Sequence, residues 1–193
     1  MNNTVGVLAL QGAYQKHVES LSRLGVKSRL IRKPDELDGC NALIIPGGES
    51  TTISLLLQEY DLYGPIKSFA NKHPVMGVCA GMIMMATEVD DERVTPLGLM
   101  PFKALRNFYG RQVHSFSAEI KLSFDNNTFK APFIRAPGIE KLSADIEVLA
   151  TYNNEAVMIG YGKHIALSFH PELTDDTRIH KYWLNKRRNG FKL

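Results

Sequence analysis

The sequence predicts an α/β fold in which a mostly parallel sheet is covered by helices on both faces. Two observations in the first half of the chain lead to this prediction. Short continuous apolar runs, such as residues 5–10 and 41–45, are typical of strands buried on both faces. Longer segments with apolar residues at helical spacing alternate with these runs, and repeated strand–helix–strand units build parallel sheets.

The elements of the first half follow in order. Continuous apolar runs predict strands at residues 5–10, 26–31, 41–45 and 74–78. Helical spacing and helix-start signals predict four helices. The first ends at Gly25, the second begins at residues 50–52, and the other two span 65–71 and 80–87. In such a sheet the functional residues belong at the carboxyl ends of the strands.

The second half of the chain has a different pattern. Alternating or short apolar segments predict strands at residues 115–122, 129–134, 148–150 and 156–159. Turn signals at residues 125–127 and 152–154 predict antiparallel hairpins between them. Residues 164–169 return to a buried strand, and a C-terminal helix is predicted at 176–186. We expect residues 1–193 to form one domain.

The composition excludes several classes of protein. Hydrophobic residues make up 44% of the chain and charged residues 22%, close to the globular average, which argues against disorder. The net charge of +3 is small and scattered, and the basic cluster at residues 186–188 is interpreted as a solvated terminal face. No apolar run resembles a signal peptide or approaches the roughly 18 residues of a membrane span. We therefore expect a cytoplasmic protein that binds neither nucleic acid nor a membrane.

The cysteines set a further limit. Cys40 and Cys79 are the only two, which excludes a disulfide framework, and no C-x-x-C pair is present for metal or redox chemistry. We expect neither a metal nor a cofactor.

The strongest local signal surrounds Cys79. In Gly77-Val78-Cys79-Ala80-Gly81 a strand runs into a cysteine flanked by glycines, and a helix follows. This is the pattern of a nucleophile elbow with Cys in place of Ser. A Cβ at either glycine would press on a neighbouring strand or helix, and the N-terminus of the new helix favours the thiolate. We predict that Cys79 is a nucleophile; a buried structural cysteine is the alternative.

A thiolate nucleophile needs a base that is oriented by a third group. His170 is the histidine that ends an apolar strand with a carboxylate nearby, in His170-Pro171-Glu172. Pro171 fixes the turn, and Glu172 can fold back onto the second ring nitrogen. We predict that His170 is the base and Glu172 its partner; a loop histidine beside a solvated glutamate is the alternative.

Other histidines receive different interpretations. His17 and His180 are interpreted as ordinary residues of helices. His114 follows a glycine-containing loop, and it alone stays open as a neighbour of the site.

The segment at residues 46–52 ends a strand and begins a helix, so its backbone N–H groups are free to bind an anion or an oxyanion. The missing G-K-[ST] ending and the charge of Glu49 argue against phosphate. An oxyanion hole or a seat for an amino acid fits better, and a plain helix cap is the alternative. Arg106 and Arg135 could each bind a substrate α-carboxylate through paired hydrogen bonds, although surface arginine is the usual interpretation.

These residues together resemble a known family. The cysteine elbow and His170-Pro171-Glu172 resemble the class I (triad) glutamine amidotransferases, and more narrowly the glutaminase subunit of pyridoxal 5′-phosphate synthase. The matching segments lie in the family's order at residues 8–12, 46–51, 79–81, 106–107, 110–112, 133–137 and 169–173.

The resemblance implies a flavodoxin-like, three-layer α/β/α fold with a small antiparallel extension. It also implies hydrolysis of L-glutamine to L-glutamate and ammonia, with Cys79 as nucleophile, His170 as base and Glu172 as its orienting partner. The residues that the resemblance places against glutamine are Gly47, Gly48, Glu49, Arg106, Ile134 and Arg135. It places the oxyanion at the backbone N–H groups of Gly48 and Ala80.

A partner is also implied. The family passes ammonia to a separate (β/α)₈ synthase subunit, and its glutaminase is weak until that subunit docks. Gln11 would lie in the region by the active site that responds to the partner.

The chain departs from the family pattern at Val78, at residues 82–85 and at His114, and none of these departures removes a triad member. Three alternatives stay open: a glutaminase that serves another synthase, such as that of histidine biosynthesis; a cysteine-elbow hydrolase or redox sensor of related fold; and a non-catalytic scaffold that only binds a partner.

Overall fold

The computed structural model describes residues 4–106, 108, 115–141 and 143–188. The strands of this part of the chain are β1 (Thr4–Leu8), β2 (Lys27–Ile31), β3 (Ala42–Ile45), β4 (Val75–Val78), β5 (Ala86–Val89), β6 (Met100–Leu105), β7 (Ser115–Leu122), β8 (Thr128–Ile134), β9 (Gly138–Lys141), β10 (Glu147–Tyr152), β11 (Glu155–Tyr161) and β12 (His164–Leu167). The α-helices are α1 (Tyr14–Arg23), α2 (Ser50–Glu59), α3 (Tyr63–Lys72), α4 (Ala80–Met85) and α5 (Arg178–Arg188), and short 3-10 helices lie at Pro34–Leu37 and Pro171–Leu173.

The large sheet confirms the predicted fold class. Its nine strands run in the order β2-β1-β3-β4-β12-β11-β10-β7-β8. The first five are parallel to one another, in the order of a flavodoxin-like sheet. The last four continue the sheet as antiparallel neighbours.

The helices form layers on both faces of this sheet. On β3, Leu43 and Ile45 pack into one apolar cluster, which includes residues of α2, α3 and α4. Ala42 and Ile44 of the same strand point to the opposite cluster, which includes Leu21 of α1 and residues of α5. Every residue of β3 is buried, which explains the continuous apolar run in the sequence.

A second sheet, with the order β5-β6-β9, was not predicted. It corrects the predicted helix at residues 80–87, because that helix ends at Met85 and Ala86 pairs with Met100 of β6. Pairing with a distant strand decides the structure here. β6 itself alternates buried and half-buried residues, a strand pattern that was present in the sequence.

The C-terminal helix begins two residues later than predicted. The Asp176 carboxylate accepts a hydrogen bond from the backbone N–H of Arg178 at 3.0 Å, so Asp176 precedes α5. In the part of the chain that the structure describes, no helix is both long enough and apolar enough to cross a bilayer.

The fold positions one edge of the sheet for chemistry. The parallel strands β1, β3, β4 and β12 are neighbours, so the loops that follow their carboxyl ends meet at the same edge. These loops carry Gln11, Gly48, Cys79 and His170.

Candidate active site

Cys79 stands in a strained turn between β4 and α4. Its backbone has φ 52° and ψ −107°, a conformation that L-residues rarely adopt. The backbone N–H donates to the carbonyl of Leu167 on β12 at 2.8 Å, which anchors the turn to the adjacent strand. Strain of this kind is typical of a nucleophile elbow.

The glycines on either side of Cys79 are required by close packing. A Cβ at Gly77 would lie 2.5 Å from Sδ of Met85 and 2.6 Å from the carbonyl oxygen of Gly81. A Cβ at Gly81 would collide with the carbonyl oxygen of Ile45 on β3. The elbow therefore presses against both a strand and a helix, as the sequence predicted.

His170 reaches Cys79 because β12 is the parallel neighbour of β4. Val78 pairs with Leu167, so the two chain segments leave the sheet side by side. The His170 backbone N–H donates to the carbonyl of Pro132 at 2.8 Å, which fixes the turn. The His170 ring and the Cys79 side chain lie beside each other, because both would be met by a Cβ added at Gly47 and both line the same cavity.

Glu172 lies on the other side of the His170 ring. His170 Nδ1 and Glu172 Oε1 are 2.7 Å apart, and the Glu172 side chain is fully buried. Burial lowers the pKa of His170, but hydrogen bonds and charges from Cys79 and Glu172 raise it to about 10. The carboxylate thus orients the ring and stabilises its protonated form.

The loop after β3 is tied to the loop after β1. The Gly47 carbonyl accepts a hydrogen bond from the backbone N–H of Ala13 at 3.0 Å, and the Glu49 backbone N–H donates to Gln11 Oε1 at 2.9 Å. Because carbonyl and N–H point in opposite directions across a trans peptide, the first bond also fixes the direction of the Gly48 N–H.

Glu49 is the N-cap of α2. Its carboxylate accepts hydrogen bonds from the backbone N–H groups of Thr51 at 3.2 Å and Thr52 at 2.7 Å. Burial raises the pKa of Glu49, but the hydrogen bonds from these two threonines lower it to about 2. The plain helix cap considered from the sequence is therefore present, on a residue that also faces the cavity.

Arg106 follows β6 and is held by two carboxylates. Nη2 donates to Glu49 Oε1 at 2.9 Å, and Nη1 pairs with Asp91. Hydrogen bonds from Arg93 and the charge of Arg106 bring the pKa of Asp91 below its ordinary value. Asp91 was missed by the sequence reasoning, since no spacing signal links it to Arg106.

Ile134 and Arg135 approach the site from the edge strand β8. The Ile134 carbonyl oxygen lies 3.8 Å from Cys79 Sγ. Arg135 has φ 44°, so the chain turns sharply as it leaves the strand. Ala80, the first residue of α4, has one of the N–H groups that a helix start leaves without an intrahelical partner.

A cavity of about 690 Å³ brings these residues together, a volume suited to a small ligand. Its walls include every predicted site residue except Glu172, which lies behind His170: Gln11, Gly47, Gly48, Glu49, Cys79, Ala80, Arg106, Ile134, Arg135 and His170. Residues that were not predicted as site residues also line it: Gly12 and Ser50, which belong to the matching segments, and Ala13, Ile83 and Ser115. The predicted segment 110–112 and His114 lie outside the described residues.

His17 and His180 lie on helices, α1 and α5, as predicted, but the sequence did not indicate what surrounds them. Both are completely buried, and they lie behind Glu172, with His17 Nε2 3.7 Å from Glu172 Oε2. The only signal in the sequence was that His17 shares the apolar stripe of α1. Nothing in its spacing points to Glu172.

The arrangement suits nucleophilic attack on a carbonyl carbon. A thiol, an imidazole and a carboxylate are neighbours, and the start of α4 and the loop after β3 border the same cavity. Among the described residues no cluster of three or more His, Cys, Asp or Glu side chains could hold a metal ion.

Comparisons with known proteins show the family to which the chain belongs. A model of the SNO glutamine amidotransferase family matches residues 7–189. The pyridoxal 5′-phosphate synthase subunit PdxT of Pelotomaculum thermopropionicum is 47% identical over 184 residues, with 94% of each chain covered. The protein of the same name from Oenococcus oeni is 41% identical over 184 residues, covering 95% of this chain and 96% of that relative.

Solved structures share the fold. A crystal structure of a glutamine amidotransferase has a TM-score of 0.90 at 41% identity and covers 95% of this chain and 98% of that chain. The structure of PurLQS from Thermotoga maritima has a TM-score of 0.75 at 16% identity, covers 96% of this chain and 99% of that chain, and shows the fold alone.

Proposed function

The chain belongs to the SNO glutamine amidotransferase family, and we propose that it hydrolyses L-glutamine to L-glutamate and ammonia through Cys79, His170 and Glu172, for a pyridoxal 5′-phosphate synthase. The observation that carries the proposal is the placement of Cys79 at a strained elbow, beside a histidine that a buried carboxylate orients.

The reaction proceeds in two stages. Cys79 attacks the carboxamide carbon of glutamine and forms a carbon–sulfur bond, while His170 protonates the departing nitrogen as the carbon–nitrogen bond breaks. His170 then removes a proton from water, which attacks the thioester and releases glutamate and the thiol. Glu172 stays ionised throughout and stabilises the imidazolium.

Backbone donors stabilise the tetrahedral oxyanion. We assign this role to the N–H groups of Gly48 and Ala80, because both residues line the cavity together with Cys79. Each donor of this kind contributes about 3 kcal/mol to the transition state.

The α-amino and α-carboxylate groups of the glutamine substrate bind further along the cavity. Gly47, Glu49 and Ile134 supply its walls. Because Arg106 is neutralised by Glu49 and Asp91, we assign the α-carboxylate to the guanidinium of Arg135 and assign Arg106 to holding Glu49 in place.

The partner is a (β/α)₈ synthase subunit that uses the ammonia. Support comes from the two relatives, each named as a subunit of pyridoxal 5′-phosphate synthase. Gln11 supports a response to docking, because its side chain is bonded to the Glu49 backbone next to the oxyanion loop. A partner that moves the loop after β1 would therefore also move Gly48.

Glutamate release, measured with and without a pyridoxal phosphate synthase subunit, tests this function. We expect glutamate release to increase when the subunit is added. We expect Cys79→Ala to abolish this release but still to bind the subunit. Cys40→Ser is the matched control, because Cys40 is buried at the far end of β3, where its thiol faces the carbonyl of Glu36 at 3.6 Å. Undiminished release by Cys79→Ala, or equal losses in both variants, would contradict the assignment. Parallel assays with other ammonia-accepting synthases identify the acceptor.

A further inference from the structure

A row of buried imidazoles extends behind the proposed triad. His17 Nδ1 of α1 is 3.1 Å from His180 Nε2 of α5, and His17 Nε2 is 3.7 Å from Glu172 Oε2. The side chains of His17 and Glu172 have no exposed surface, and His180 is equally buried. Two helices on one face of the sheet therefore supply histidines to the back of a carboxylate whose front faces His170.

Two atoms that face each other in this row both lack a hydrogen-bond partner. Within the described residues, neither Glu172 Oε2 nor His17 Nε2 has a hydrogen-bond partner, although both atoms are buried. Their separation exceeds the usual N–H···O length of about 2.9 Å by less than about 1 Å. A buried carboxylate oxygen without a donor is costly, so the facing nitrogen is the group able to satisfy it.

The hydrogens can be assigned in one direction along the row. Glu172 is an acceptor, so His17 Nε2 carries the hydrogen that faces it, and His17 Nδ1 is left as an acceptor. His180 Nε2 then donates to His17 Nδ1. On the other side His170 Nδ1 donates to Glu172 Oε1. His17 and His180 are neutral in this pattern, and both carboxylate oxygens of Glu172 receive a donor.

We propose that His17 is a positioning residue for the glutaminase reaction, which holds the second oxygen of Glu172 so that the first stays aligned with His170. The inference rests on the proposed roles of Cys79, His170 and Glu172. His180 acts one step further away, by keeping His17 in the tautomer that donates to Glu172.

Titration of these groups agrees with the neutral pattern. The groups that face His17 are Glu172, His170 and His180. Burial lowers the pKa of His17, and the charge of His170 adds to the effect while Glu172 opposes it. Burial likewise lowers the pKa of His180 to about 3, where His17 and Arg23 add to the effect and Glu172 opposes it. Burial raises the pKa of Glu172, but contacts with His17 and His170 bring it below the ordinary value.

The test compares His17→Leu with His17→Gln in the complex with the synthase subunit. Leucine removes both nitrogens, whereas the glutamine amide reaches about as far as Nε2 and keeps a donor for Glu172. We expect His17→Leu to lower kcat by about tenfold to a hundredfold, the range for a lost hydrogen bond to a buried charge, with KM changed less than about threefold. His17→Gln should recover most of the loss, and His180→Leu should lose less than His17→Leu.

His164→Leu is the matched control. It is also a buried histidine, but its Nδ1 accepts a hydrogen bond from the Val75 backbone N–H at 3.1 Å, at the other end of β12. It should lose stability in urea denaturation with kcat unchanged. If His17→Leu and His17→Gln lose kcat equally, or if His17→Leu keeps the wild-type kcat, the positioning role is wrong.

A second measurement needs neither glutamine nor partner. In a Cys40→Ser background, alkylation of Cys79 by iodoacetamide reports the thiolate–imidazolium pair that Glu172 stabilises. We expect His17→Leu to alkylate more slowly than the parent at neutral pH and at nearly the same rate at strongly alkaline pH, where the thiolate forms without the imidazolium. Equal rates at neutral pH would overturn the proposal. If the wild-type chain and the synthase subunit together release no glutamate, the proposed function fails instead, and the two failures are distinguished.

Discussion

Strand β12 has a buried histidine near each end, and the two differ in almost every chemical respect. His164 begins the strand and accepts a hydrogen bond from a backbone N–H. His170 lies three residues beyond the last strand residue, Leu167, and its Nδ1 faces a carboxylate. Burial and the charge of Lys163 lower the pKa of His164 to about 4. At His170, where burial also acts downward, Cys79 and Glu172 raise the pKa to about 10.

The difference shows that burial alone does not decide what a histidine can do. Both rings are less than a tenth exposed. Burial beside the positive charge of Lys163 keeps one ring unprotonated, and the interactions with Cys79 and Glu172 favour protonation of the other. The ends of a parallel strand also differ, because only the carboxyl end meets the loops that surround the cavity.

The largest expected effect separates the two histidines by activity. His170→Ala should lower kcat about 10³- to 10⁴-fold, because proton transfer by a positioned side chain contributes up to that much. His164→Ala should leave kcat within about threefold, since no reacting group depends on it. Steady-state glutamate release in the presence of the synthase subunit measures both. A comparable loss of kcat in the two variants would contradict the claim that only the histidine at the carboxyl end of β12 acts in the reaction.

A smaller effect is expected when the partner of His170 is altered. Glu172→Gln keeps an oxygen that can accept the His170 Nδ1 hydrogen, but it removes the charge that stabilises the imidazolium. We expect kcat to fall by at most about a hundredfold, less than in His170→Ala, because orientation contributes less than proton transfer. Kinetics in which Glu172→Gln is the slower variant would show that the carboxylate has another role.

The smallest effect concerns stability and pH. The pKa of His164 is lowered to about 4 in the folded state, so the unfolded chain binds the proton first as pH falls below the ordinary value of 6.5. This histidine should therefore reduce the free energy of unfolding by about 2 kcal/mol between about pH 7 and pH 5.

Urea denaturation at the two pH values checks the sign. His164→Asn keeps an acceptor for Val75 but does not titrate, so its stability should fall less between these pH values than that of the wild type. His170 acts in the opposite direction, because its raised pKa contributes stability that is lost as pH rises from 6.5 toward about 10. An unchanged acid dependence in His164→Asn would mean that the ring does not resist protonation.

Local patterns were sufficient to predict the elbow and most of the strands. The turn at Cys79 determines the spacing of the glycines around it, so the elbow can be recognised from a few adjacent residues. The hairpin at Asn153 and Asn154 shows the positive φ angles, 50° and 67°, that its sequence indicated. His170-Pro171-Glu172 is also local, because the histidine and the carboxylate are two residues apart.

Contacts between distant segments could not be predicted in the same way. His17 and Glu172 meet because α1 and the segment after β12 pack on the same face of the sheet. Arg106 and Asp91 meet because they flank the small sheet formed by β5, β6 and β9. These pairs depend on strand order and layer packing, which leave no signature in the spacing of single residues.

Glu49 carries a consequence for how such a protein changes over evolutionary time. One carboxylate caps α2, pairs with Arg106 and faces the cavity, and its backbone is fastened to Gln11. Selection for a different ligand therefore cannot act on this position without also acting on the helix start. A single substitution at Glu49 keeps a cap for α2 only if the new residue is itself a capping one, such as Asp or Ser, and it changes the cavity wall in the same step.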